Sequence, residues 1–288
     1  MDPDRSLDDW LRQSIERGCT IAAMVDTMVA SGHTEARASL TVLGAFARWQ
    51  PAALGLDERA TAPPPADRPG TPLVADSRLT LDGRDVDVAL VCDPPRLAVL
   101  DGLLDGDECA TVVAAARGRL EPSCVVGQGG APGRVDPSRT SSGTALRAAD
   151  HATVGALRRR VVELVGLPDS HLEPVQVLRY RPGDAYAPHD DYFEPDSGDI
   201  AAGQRVATVI VYLNDVAAGG ATVFGDGWLR ITPRPGRAVW FTYRGDGSAG
   251  DVAARHAGAP VEDGEKWIAT LWCRDRPYGP GPGSGSGR

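Results

Sequence analysis

At 288 residues the chain is long enough for one catalytic domain with a small accessory piece, and its 42% hydrophobic and 24% charged residues are the balance of a folded protein. Such a composition excludes an intrinsically disordered chain. With 30 Lys and Arg against 39 Asp and Glu the net charge is -9 and no basic stripe forms, which argues against nucleic acid as a partner.

The amino terminus, MDPDRSLDDW, has neither the basic nor the apolar region of a secretion signal, and no run approaches the roughly 18 apolar residues of a bilayer span. The reading is a cytoplasmic protein with no membrane partner. Residues 1–50 read as three short helices. Ser6 with Asp9 forms a capping-box pattern ahead of the apolar face Leu7, Trp10, Leu11 and Ile15, and Gly18 can end the first helix. Thr20 opens the second, with Ile21, Met24, Val25 and Met28 at helical spacing as far as Gly32; Thr34 opens the third, which Pro51 must stop. Residues 51–75 are rich in Pro and Ala and read as an extended linker. A larger domain is expected over 76–278, followed by a low-complexity tail over 279–288 that is expected to be disordered.

Within the larger domain, LTLDGRDVDVALV carries a hairpin signal at Asp82-Gly83. A helix capped by Asp105 or Asp107 and another opened by Asp150 and ended by Gly166 come next. Thereafter VQVLRY, RVATVIVYL, ATVF, RAVWFTY and KWIATLWC are short β-rich runs between turns, as in a sandwich or jelly roll. Gly183 and Gly219-Gly220 read as turn glycines, since no phosphate-binding helix follows them. The five cysteines, Cys19, Cys92, Cys109, Cys124 and Cys273, are scattered and never spaced C-x-x-C, which points to reduced, packed thiols and not to a disulfide framework or a zinc site.

Five histidines are present, and His189 stands in an H-x-D pattern with Asp191. Residues i and i+2 of an extended segment project to one side, so this imidazole and carboxylate can converge on one ion. A later histidine would complete a facial triad whose open positions admit a 2-oxo acid and dioxygen on iron(II). Alone, so short a pattern carries little weight, because chance supplies it often. His256 adds more: Lys266 lies ten residues on, at the start of an apolar strand. Facing inward, its ammonium would need an anion, and the distal carboxylate of 2-oxoglutarate is a fitting one. His33, His151 and His171 lack ligand-type neighbours and read as surface or capping residues.

Four blocks, SRTSSGTAL at 138–146, VQVLRYRPGDAYAPHDDYF, GQRVATVIVYLNDVAAGGATVF and ARHAGAPVEDGEKWIATLW, resemble in order and spacing the signature blocks of the prolyl 4-hydroxylase family of iron(II)/2-oxoglutarate-dependent dioxygenases. The resemblance is to the bacterial type with an N-terminal helical segment and spans residues 96–275. It implies a mainly β fold with flanking α-helices: a double-stranded β-helix core, jelly-roll or cupin-like, beside the small N-terminal helical module, with the dioxygenase domain over 76–278. It also implies His189, Asp191 and His256 as iron ligands and Lys266 as the anchor of the 2-oxoglutarate C5 carboxylate, assisted by Tyr180 and Thr208. Trp272 would lie near the iron, and Tyr186 and Arg205 would contact substrate. The implied cofactors are Fe(II), 2-oxoglutarate as co-substrate and O2, with ascorbate as a reductant.

Halogenating relatives replace the carboxylate ligand by a small residue; Asp191 is retained, so hydroxylation is the implied reaction. The expected substrate is proline or a related cyclic amino acid, free or in a peptide. Two alternatives are a nucleic-acid dealkylating oxygenase on the same scaffold, against which the acidic charge and a lysine anchor both count, and a hydroxylase of a non-cyclic amino acid in a biosynthetic pathway. The N-terminal helices could mediate homo-oligomer or carrier-protein contacts, or cover a domain edge.

Overall fold

A computed structural model of the protein describes residues 3–50, 77–92, 95–125, 134–135, 137–193, 203–225, 227–243 and 253–279. The linker read over 51–75 and, apart from Gly279, the tail lie outside the described residues. The chain divides into two compact units, Met1–Arg68 and Pro69–Arg288.

The first unit holds α1 (Pro3–Glu16), α2 (Ile21–Ala30) and α3 (Glu35–Trp49). Thr20 and Thr34 cap the second and third helices: their hydroxyls accept the amides of Ala23 and Arg37. α1 begins at Pro3, ahead of the Ser6 start expected from sequence. The fixed φ of proline suits a first helical turn, where no backbone donor is needed. Leu11, Ile15, Met24, Met28, Val42 and Phe46 form the core of this unit, as the helical spacing of its apolar residues requires.

The second unit opens with the hairpin β1 (Arg78–Leu81) and β2 (Arg84–Cys92). Its turn residues Asp82 (φ 47) and Gly83 (φ 73) both take the left-handed conformation that a tight two-residue hairpin demands. Next come β3 (Leu97–Asp101), α4 (Gly106–Arg117), β4 (Glu121–Pro122), β5 (Cys124–Val125), β6 (Arg134–Val135), β7 (Ser142–Leu146) and α5 (Ala152–Val165). Asp105 caps α4 in a full capping box with Glu108. α5 starts one residue later than expected, with His151 at its cap and no side-chain cap bond; Asp150 belongs to the turn before it, its amide donating to the Arg147 carbonyl. The remaining strands are β8 (Val175–Tyr180), β9 (Tyr186–His189), β10 (Arg205–Tyr212), β11 (Ala218–Gly219), β12 (Thr222–Phe224), β13 (Leu229–Ile231), β14 (Ala238–Thr242), β15 (His256–Gly258), β16 (Val261–Asp263) and β17 (Lys266–Arg274).

These strands build a nine-stranded sheet, β1-β2-β3-β14-β10-β17-β8-β7-β4, and a four-stranded sheet, β13-β12-β15-β9, with two small ribbons, β11-β16 and β5-β6. The mainly β, jelly-roll class expected from the sequence is the one observed. The period of two along a strand decides what each face buries. On β10, Ala207, Val209 and Val211 join the core under α4 and α5, whereas Ile210 and Tyr212 point the other way, into the core that includes Phe224 and Ile231 of the small sheet. On β17, Trp267, Ala269, Leu271 and Cys273 face the helices and Ile268 faces inward. Lys266, Thr270 and Trp272 share the inward parity, so a charged residue starts the most buried strand. Among the described residues no helix is long and apolar enough to cross a membrane.

Candidate active site

β9 and β15 pair antiparallel with His189 opposite His256, and their imidazole centroids lie 4.3 Å apart. Asp191 follows just past the end of β9, so the extended i, i+2 geometry turns it towards the same point. Its Oδ1 is 3.6 Å from His189 Nε2 and its Oδ2 is 3.7 Å from His256 Nε2. One donor atom from each of the three residues falls within 4.8 Å of the others, and no other such group forms among the described residues.

Each histidine turns Nδ1 to a backbone carbonyl two residues back, His189 to Ala187 at 2.9 Å and His256 to Ala254 at 3.1 Å. Carbonyl oxygens only accept, so Nδ1 carries the proton and the Nε2 lone pair faces the shared centre. Burial and the nearby His256 pull His189 down to about 3. Burial pushes the Asp191 carboxyl up, but His256, His189, Arg205 and the Thr208 hydroxyl outweigh it, and the group sits at about 2. A neutral His189 and an ionised Asp191 are protonation states that metal ligation needs. Two imidazole nitrogens and one carboxylate match the donor set of a non-haem iron(II) centre with open positions.

The triad forms one wall of a pocket, about 410 Å³ with the part open to solvent included, that is also lined by Lys266, Tyr180, Tyr186, Arg139, Thr222 and Trp272. Lys266 is only 1% exposed. Burial alone acts on its ammonium, holding it down at about 7, and no described carboxylate offsets that penalty. Tyr180 is its cross-strand partner, with Nζ 5.2 Å from the ring centroid; burial raises the Tyr180 hydroxyl pKa, which keeps it a neutral donor. A buried cation facing a cavity, with hydroxyls nearby and no counter-charge, is suited to an anionic ligand.

Tyr186 stacks on His189, centroids 3.5 Å apart and planes at 17°, with the Arg139 guanidinium 5.0 Å from its ring centroid. Burial pushes its hydroxyl up to about 12. Trp272 lines the cavity, and its indole Nε1–H has no acceptor among the described residues.

Two residues stand elsewhere than the resemblance implied. Thr208, fully buried, lies across from Trp272 in the β10–β17 register; six residues separate that point from Lys266, roughly 20 Å of strand. Its hydroxyl donates to Asp191 Oδ2 at 2.7 Å. Thr222 lines the cavity instead and accepts the Tyr212 hydroxyl at 2.7 Å. Arg205 does not line the cavity. Its guanidinium grips Glu173 through two bonds of 2.8 and 3.0 Å, reaches the Asp191 carbonyl at 3.4 Å and packs 3.9 Å from the Trp272 ring centroid. Arg274 adds a third bond to Glu173 at 2.7 Å. With both Glu173 carboxyl oxygens accepting from it, Arg205 is committed to a buried network beside Asp191.

Sequence reasoning left out Arg139, Thr222, Glu173 and Tyr243. Arg139 and Thr222 sit inside the quoted SRTSSGTAL and GGATVF stretches and could have been found there. Glu173 and Tyr243 carry no local pattern; only the fold brings them to the site. His33, His151 and His171 take no part in the triad.

Residues 175–274 match the family described as the 2OG-Fe(II) oxygenase superfamily. The probable prolyl 4-hydroxylase 10 of Arabidopsis thaliana is 32% identical over 210 residues, 66% of this chain and 73% of that protein. Prolyl 4-hydroxylase 1 of the same plant is 36% identical over 197 residues, 63% of this chain and 70% of that protein. Among solved structures, the viral collagen prolyl hydroxylase from Paramecium Bursaria Chlorella virus-1, determined as its 2OG complex, is similar with a TM-score of 0.51 and 29% identity, covering 64% of this chain and 99% of that one. Iron(II) and 2-oxoglutarate are the cofactors of this superfamily, and the convergent donors and unpartnered Lys266 are the features such a pair requires. The chain belongs to the prolyl 4-hydroxylase family of 2OG-Fe(II) oxygenases.

Proposed function

We propose that this oxygenase hydroxylates an sp3 C–H of proline or a related cyclic amino acid, free or within a peptide, while 2-oxoglutarate and O2 become succinate and CO2. The observation that carries the reading is the sharing of one cavity by the His189, Asp191 and His256 donors and the uncompensated Lys266. The names of the relatives, prolyl 4-hydroxylases of a plant and a viral collagen prolyl hydroxylase, support the substrate class.

In this reading His189 and His256 through Nε2, with the Asp191 carboxylate, hold the ion. Lys266 neutralises the distal carboxylate of 2-oxoglutarate, with the Tyr180 and Thr222 hydroxyls as further donors. When bound, iron(II) supplies the redox chemistry that couples oxidative decarboxylation of the 2-oxo acid to oxidation of the substrate C–H. Tyr186 packs on His189 and restrains its ring, while Leu178, Ile210 and Ile268 keep part of the cavity wall apolar and limit water. Arg139 and the Trp272 N–H offer donors for carbonyl or carboxylate oxygens of bound molecules. Retention of Asp191 favours hydroxylation over halogenation, and the -9 charge disfavours a nucleic-acid substrate.

The test incubates the purified protein with iron(II), ascorbate and 2-oxoglutarate beside free proline, pipecolate or a proline-rich peptide, and follows succinate and substrate mass. One of the three should gain a single oxygen with matching succinate, and His189→Ala should lose both iron binding and turnover. Activity confined to methylated oligonucleotides would overturn the reading.

A further inference from the structure

The two oxygens of Asp191 are treated differently. Each lies near one imidazole, Oδ1 3.6 Å from His189 Nε2 and Oδ2 3.7 Å from His256 Nε2, but only Oδ2 accepts a hydrogen bond among the described residues, from the Thr208 hydroxyl at 2.7 Å. Thr208 Oγ1 has a second partner, the Tyr243 hydroxyl at 2.8 Å. A threonine hydroxyl has one proton and an ionised carboxylate has none. With that proton on Asp191, the second bond runs from Tyr243 to Thr208. The direction of the chain is thereby fixed: Tyr243 donates to Thr208, and Thr208 donates to Asp191.

Little of this chain reaches water. Thr208 is fully buried, and Asp191 and Tyr243 are each 7% exposed. Tyr243 is braced by Phe241 and Tyr192, ring centroids 6.0 and 5.8 Å away. Thr208 lies on β10 and Tyr243 immediately follows its neighbour β14, so both donors stand on the large sheet while Asp191 follows a strand of the small one. With the Tyr243 hydroxyl donating to it, one lone pair of Thr208 Oγ1 is occupied and its proton is directed at Oδ2.

We propose that Tyr243, acting through Thr208, is a positioning residue that fixes the Asp191 carboxylate so that Oδ1 is the oxygen presented to the metal. One lone pair of Oδ2 is thereby taken by Thr208, whereas both lone pairs of Oδ1 are left for a metal. This rests on the metal-site reading above.

The test is Mn(II) binding to the full chain, followed by the electron paramagnetic resonance of unbound Mn(II), with the visible absorption of the Co(II)-substituted protein as a second readout. Thr208→Val should weaken Mn(II) binding by about 10- to 100-fold, the usual effect of removing a partner that orients a ligand. Tyr243→Phe, which deletes one oxygen and keeps the ring, should weaken it by a smaller factor of about 3 to 10. The double variant should match Thr208→Val, because the tyrosine acts only through the threonine. Thr208→Ser, which keeps the hydroxyl, should restore both the affinity and the Co(II) spectrum. Wild-type affinity in Tyr243→Phe, or losses that multiply in the double variant, would overturn the relay. Failure of the wild type to bind Mn(II), or equal binding by His189→Ala, would overturn the metal site and the relay with it.

Discussion

Strand β17 starts with a buried cation and ends with another, and the fold treats the two in opposite ways. At its end, Arg274 and the neighbouring Arg205 share Glu173, and all three are less than 9% exposed. Their charges meet inside the protein, and Arg158 adds a bond to the Glu173 carbonyl. At its start, Lys266 is more deeply buried still and has no carboxylate beside it. Burying a charge is tolerable only with a partner. The first cluster brings its own; the second faces a cavity. Paired burial marks architecture, and unpaired burial marks a place kept for a ligand.

Three measurements break or sharpen this contrast. The largest effect is expected from Glu173→Gln, which takes from two buried guanidiniums the carboxylate they share: a loss of about 3–5 kcal/mol in urea unfolding. A loss below about 1 kcal/mol would mean that the network is not held by charge. Next, Lys266→Met should weaken 2-oxoglutarate binding by about 100-fold, roughly 2.7 kcal/mol, while the ligand-free protein melts at the same temperature or higher, since an uncompensated charge has been removed. If this variant is destabilised as Glu173→Gln is, the two ends of β17 do not differ as argued.

The smallest effect is pH-dependent. Lys266 is lowered from 10.5 to about 7 by burial. Between those values the unfolded chain binds a proton there that the folded, ligand-free protein does not, so stability from this group rises with pH across that window and the penalty is greatest below about 7. On the proposed role of Lys266 the charged form binds 2-oxoglutarate, so affinity should fall by up to about tenfold per pH unit above 7. Calorimetry at about pH 8 in buffers of different ionisation heat should show proton uptake, absent in Lys266→Met. Affinity independent of pH would place the counter-charge elsewhere.

Much of the fold was legible because β8, β10 and β17 are covered on both faces and so read as nearly unbroken apolar runs. The Asp82-Gly83 turn and the Thr20 and Thr34 caps are local chemistry and could be read locally. β9 and β15 were less visible. Each is three or four residues long, β9 carries Pro188, and neither shows a period. The candidate triad was named from spacing and resemblance, yet what brings His189 opposite His256 is a register between strands almost seventy residues apart. The same cause hid the partners of Thr208 and Arg205. Which carboxylate a buried threonine or arginine meets depends on how β8, β10 and β17 are aligned, and one residue of slip would turn each side chain to the other face.

The triad stands on the small sheet and Lys266 on the large one. A dicarboxylate gripped at both ends would therefore act as a strut between two layers that also meet through apolar packing and the Tyr212–Thr222 hydrogen bond. Its length would set their separation, and its departure as the shorter succinate would relax the span.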